Sequence, residues 1–126
     1  MPRKAITALA LSTAGPYSHA VDSDGLIFLS GQTPMDLKTG EIVLGDITVQ
    51  TQQCFEHLFS VLKAYDLTSD DVQKVNVYLV NMDDFAAMNA VYQQQFTEPY
   101  PARTTIGVAS LPKKAKIEIE LIARKK

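Results

Sequence analysis

Between Ile47 and Tyr65 the apolar side chains Phe55, Leu58, Phe59, Leu62 and Tyr65 recur at steps of three and four residues. That period belongs to an α-helix with one buried stripe, and such a stripe must pack against a second apolar surface. Asp46 is placed to cap its first turn. The stretch "VQKVNVYLV" (72–80) switches to two-residue alternation, with Val75, Val77 and Leu79 on one side and Asn76, Tyr78 and Val80 on the other. It reads as an inner strand. "MDDFAAMNAVYQQQF" (82–96) returns to helical period through Phe85, Met88, Tyr92 and Phe96, with Asn81 or Asp83 as its expected cap, and Pro99 and Pro101 end it.

Strands flank this unit on both sides. "HAVDSDGLIFLSG" (19–31) predicts a β-hairpin turning at Asp22-Ser23-Asp24-Gly25, and "MDLKTGEIV" a surface loop turning at Thr39-Gly40. "RTTIGV" (103–108) and "KIEIELIA" (116–123) supply two more strands, joined by the turn-rich "ASLPKK". The order β-β-α-β-α-β-β predicts an α+β fold in which two helices cover one face of a single sheet. Both sides of the 72–80 strand look apolar, so the uncovered face is expected to be closed by self-association.

No linker, repeat or low-complexity tract divides the chain, so residues 1–126 are read as one domain. At 46% hydrophobic content that length predicts burial of roughly two-thirds of the unfolded surface. A formal charge of −2 gives no basic field for nucleic acid or an anionic membrane. No apolar run approaches membrane-spanning length. Cys54 has no partner cysteine, as suits a reducing compartment. "MPRKAITALALSTAG" at the start, interrupted by threonines, is read as part of the fold of a cytoplasmic chain.

Most catalytic signatures are missing. His19 and His57 lie far apart without a cysteine pair or HExxH spacing, so no metal site is expected. Neither GxxxxGK[ST] nor GxGxxG is present to cradle phosphates. Cys54 falls on the helix face near Leu58, the place of a small core residue. What remains is a set of polar residues. Strand alternation puts Arg103, Thr105 and Gly107 on one face, which glycine would leave concave, and sets Glu118 and Glu120 together on one side of their strand. Asn89 sits within or beside the apolar stripe of the second helix. Each has a plain alternative. Arg103 can be a solvated ion-pair partner of Glu118 or Glu120, the two glutamates the wet side of an edge strand, Asn89 a loop clasp, and "GPYSHA" a turn with a packed tyrosine.

Taken together, "GPYSHA", "LSGQTP", "GDITVQTQQ", "DDFAAMNAVYQQQF" and "PARTTIGVASLPKKAKIEIELIA" resemble the RidA/YjgF family of enamine and imine deaminases, along nearly the whole chain. The resemblance implies a chorismate-mutase-like fold and a homotrimer with pockets between subunits. It implies hydrolysis of 2-iminopropanoate or 2-iminobutanoate to the 2-oxo acid and ammonia, without metal or organic cofactor. The family's substrate-binding arginine falls on Arg103 and its water-positioning glutamate on Glu118. Tyr17, Ser30, Gly31 and Asn89 match the pocket wall, and Thr105 the position whose backbone helps hold the substrate. This chain has Thr105 where close members usually carry cysteine, and His19 where glutamine is frequent. The alternatives are a trimeric protein that captures a small carboxylate without turnover, and a ribonuclease.

Overall fold

Asp24 and Gly25 both take positive φ, 49° and 90°, and the Gly25 N–H donates to Asp22 Oδ1 at 3.0 Å. A two-residue turn of this hand matches the twist of the strands it joins, so the expected hairpin forms between β2 (Ala20–Ser23) and β3 (Leu26–Gln32). The computed structural model describes residues 3–6 and 15–126. Of the N-terminal segment read as part of the fold, residues 7–14 lie outside the described residues. Lys4–Ile6 adds a further strand, β1, antiparallel to β2. Periodicity places no strand there, because three residues are too few to show alternation.

Helix α1 (Ile47–Lys63) begins as expected, with the Val49 N–H donating to Asp46 Oδ1 at 3.1 Å. It stops before Tyr65: Asp66 turns left-handed at φ 59°, and the Leu67 N–H reaches back to the Leu62 carbonyl at 3.0 Å. Strand β4 (Val72–Leu79) follows. Asn81 accepts from the Asp83 N–H at 2.9 Å, but the turn it caps is a short 3₁₀ segment, Met82–Asp84, ahead of α2 (Phe85–Gln95). The cap therefore belongs one element earlier than the sequence suggests. Strands β5 (Ala102–Gly107) and β6 (Ile117–Arg124) complete the sheet.

The sheet runs β1-β2-β3-β6-β4-β5, with β4 and β5 parallel and the other pairs antiparallel. β6 is thus a central strand, and the reading of Glu118 and Glu120 as an edge-strand surface does not hold. Both helices lie on one face, as the α+β order predicts. Phe55, Leu58, Leu62, Met88 and Tyr92 pack there against Val75, Val77, Leu79, Ile117, Ile119 and Leu121, all buried. Full burial of a large apolar side chain contributes about 1.5–3 kcal/mol, so this layer holds the helices in place.

The opposite face is mixed rather than apolar throughout. Phe28 and Ile106 are 43% and 46% exposed, but Asn76, Tyr78, Glu118 and Glu120 share this side with them. The strand-72–80 alternation hid this, since Tyr78 counts as apolar by composition yet uses its hydroxyl. No helix among the described residues is long and apolar enough to cross a membrane.

Candidate active site

Arg103 pairs in register with Val75 across β4 and β5, which turns its side chain to the helix-covered side at the sheet edge. There α2 receives it. Arg103 Nη1 donates to Asn89 Oδ1 at 2.6 Å, and the guanidinium carbon lies 4.6 Å from the Tyr92 ring centre and 5.5 Å from that of Phe85. An amide acceptor and two ring faces fix the plane of the fork, as cation–π contacts favour. Among the described residues no carboxylate lies within ion-pair distance of Arg103. The ion-pair reading with Glu118 or Glu120 is therefore excluded by the sheet order, which puts β4 between β5 and β6.

An open cavity of about 430 Å³ adjoins the arginine, lined by Asn89, Tyr92, Gln93, Glu98, Tyr100, Pro101 and Arg103. The Tyr92 hydroxyl and Thr105 Oγ1 are buried without a hydrogen-bond partner among the described residues. Buried polar atoms are rarely left so, and of the two only Tyr92 lines the cavity, where its hydroxyl suits a polar ligand or water. Burial raises the Tyr92 phenol above its ordinary value, and Arg103 opposes that rise. Gly107 does not make this face concave: an added Cβ would stand 3.1 Å from Met82 Cγ, so Met82 already fills the space.

Glu118 stands on the other side of the sheet, opposite Tyr78 on β4. An irregularity in register between Leu29 and Gln32 brings Gly31 against it. A Cβ on Gly31 would come within 2.7 Å of Glu118 Oε2, so only glycine leaves the carboxylate where it is. Ser30 Oγ donates to the Ser18 carbonyl at 2.6 Å, which ties the "GPYSHA" segment to this end of β3. Tyr17 is 47% exposed. Burial, then the charge of Glu120, raises Glu118 above the usual carboxylate value of 4.5. We expect Gly31→Ala to push the Glu118 carboxylate aside. Because a flexible side-chain end yields cheaply, the melting curve should shift by no more than about 1 kcal/mol. A variant crystal structure with Glu118 unmoved would contradict this.

The predicted residues therefore form two groups. Arg103, Asn89 and Thr105 face the helices, whereas Glu118, Gly31 and Ser30 belong to the open side with the Tyr17 segment beside them. Within one chain Arg103 and Glu118 are two strands apart on opposite faces and do not converge. Sequence reasoning missed Tyr92 and Phe85 as partners of Arg103, since their helical spacing marks them only as core. It also missed Asn76 and Tyr78, which both donate to Glu120 Oε1. Cys54 is the core residue expected: it is fully buried, its Sγ donates to the Gln32 carbonyl at 3.2 Å, and burial pushes its thiol well up. Among the described residues no three His, Cys, Asp or Glu side chains gather as a metal-binding group.

Comparison with known proteins bears on this arrangement. A RutC family protein of Pyrococcus horikoshii is 50% identical over 111 residues, covering 88% of each chain. A 2-iminobutanoate/2-iminopropanoate deaminase of Dermatophagoides farinae is 44% identical over 122 residues, covering 96% of this chain and 95% of its own. The crystal structure of E. coli TdcF with bound serine shares the fold at a TM-score of 0.88 and 38% identity, over 97% of this chain and 98% of that one. Residues 7–125 match the family model described as endoribonuclease L-PSP, and with these relatives that match establishes that the chain belongs to the RidA/YjgF family.

Proposed function

We propose that the protein hydrolyses 2-iminopropanoate and 2-iminobutanoate to the 2-oxo acids and ammonia, as a homotrimer whose sites are shared between copies. The observation that carries this reading is the Arg103 fork, held planar by Asn89, Tyr92 and Phe85, open to a cavity and unpaired with any described carboxylate. Such a fork suits a substrate carboxylate through two charge-assisted hydrogen bonds, fixing the neighbouring C=N carbon for attack. Glu118 then orients a water and takes its proton as oxygen bonds to that carbon. That proton passes to nitrogen to give the carbinolamine, the hydroxyl proton then reaches nitrogen by way of the same carboxylate, and the C–N bond breaks so that ammonia leaves as the carbonyl forms.

Both groups can reach one substrate only if a second copy supplies the missing half, because one chain holds them on opposite faces. The exposed Phe28 and Ile106 give that copy an apolar surface to cover. The named deaminase relative supports the chemistry. The serine in TdcF supports recognition of an amino-acid carboxylate, and it equally favours a second reading, capture of a small carboxylate without turnover. A single domain of residues 1–126 working in the reducing cytoplasm, with a small imino or oxo acid as its partner and no nucleic acid, completes the proposal.

Sedimentation at micromolar concentration should give a trimer, and a coupled assay should show imine hydrolysis above the uncatalysed background. Full turnover by a stable monomer would overturn the shared site. A trimer that binds 2-oxo acids but never exceeds background would leave carboxylate capture as the function.

A further inference from the structure

Glu118 and Glu120 stand side by side on the open face of β6 in opposite circumstances. Glu120 Oε1 accepts from the Tyr78 hydroxyl in a short hydrogen bond and from Asn76 Nδ2 at 3.3 Å. Glu118 accepts no hydrogen bond from the described residues and is half-buried against Gly31. When two carboxyl groups share a site, the one furnished with donors keeps its charge and the bare one holds the proton more tightly.

We propose that Glu120, anchored by Tyr78 and Asn76, is a positioning residue that makes Glu118 the proton-carrying member of the pair and so sets the pH at which Glu118 acts. The proposal rests on the reading of Glu118 as the group that handles water. Within one chain the surroundings leave Glu120 as the main charge facing it, and in the shared site the Arg103 guanidinium of a second copy acts in the opposite direction. On β4, Tyr78 is opposite Glu118, and Lys74 is turned to Thr104 Oγ1 at 3.0 Å. On β3 the neighbour is Gly31, which has no side chain. On α1, the buried Cys54 thiol is near enough to feel the charge of Glu118. On β6 itself, Arg124 lies at the far end, paired with Leu26. In agreement, burial and then Glu120 raise Glu118, and the bond to Glu120 pushes the Tyr78 phenol up to about 12.

Carbon-13 NMR of the glutamate carboxyl groups tests this on the intact protein, with signals assigned from Glu118→Gln and Glu120→Gln. Glu120→Gln keeps an acceptor for Tyr78 and Asn76 but removes the charge, and should lower the Glu118 midpoint by about half a pH unit or more. A Glu118 midpoint unmoved by Glu120→Gln would overturn the proposal. If Glu120→Gln folds poorly, Glu120→Ala removes the same charge and decides the question by the same midpoint. The midpoints are read without turnover, so an inactive wild-type protein would count against the deaminase reading while the Glu118 shift would still report the effect of Glu120. Where there is turnover, the acid limb of kcat/KM should move down with the Glu118 midpoint.

Discussion

Arg103→Ala is expected to lower kcat/KM for 2-iminobutanoate by about 10²–10³-fold, the worth of two charge-assisted hydrogen bonds lost from the transition state. The fold should survive. The variant loses ring contacts of about 0.5–1 kcal/mol each at a half-buried site and leaves Asn89 Oδ1 without its donor. Arg103→Lys separates charge from geometry: an ammonium keeps the positive charge but cannot present a planar fork to a carboxylate, so it should recover only a small part of the activity. Steady-state kinetics beside thermal melts provide the measurement. Near-wild-type turnover in the alanine variant would remove Arg103 from the site.

Glu118→Gln should produce the second large effect, a fall in turnover towards the lower end of the 10²–10⁴-fold range of general acid/base groups, because imines already hydrolyse in water. Binding of pyruvate or 2-oxobutanoate should persist, since Arg103 is untouched. Stability should change in the other direction. Glu118 is raised above its ordinary value in the folded chain, so the stability this contributes is fully present below pH 4.5 and is lost as pH rises through the raised value. A glutamine carries no charge to desolvate. The variant should therefore melt at least as high as the wild type at neutral pH, with a flatter dependence on pH across that window. Calorimetry of the oxo acid and melts between pH 4 and 8 check both halves, the range being about where carboxyl groups of this kind titrate. Equal hydrolysis rates after background subtraction would end the catalytic assignment.

These two variants probe residues that were named from the chain alone, but their surroundings were legible to different degrees. The helical period of Phe55, Leu58 and Leu62, the cap at Asp46 and the turn at Asp24-Gly25 are local features. A few neighbouring residues determine each of them through backbone geometry and one or two hydrogen bonds. The likeness of the pocket segments to the family marked Arg103, Glu118, Gly31 and Asn89 without any fold being built. Thr105 was marked in the same way, but its buried and unpartnered hydroxyl became visible only in the folded chain.

Alternation also showed correctly that Arg103 and Thr105 share one face and that Glu118 and Glu120 share another. It could not relate the two faces to each other. That relation depends on β4 entering between β5 and β6, a choice made by long-range pairing, in which the parallel register sets Arg103 beside Val75 and the antiparallel one sets Glu118 beside Tyr78. Strand periodicity has a phase within each segment and no common origin between segments, so only the assembled sheet decides which side chains meet. Local pattern in the chain is enough for both helices, the strands from Ala20 onward, the Asp24-Gly25 turn and the Asp46 cap, and the family likeness named the candidate site residues. The tertiary structure decided that Arg103 is clasped by Tyr92 and Phe85, that Glu120 is anchored by Tyr78 and Asn76, and that the two halves of the candidate site stand on opposite sides of one sheet.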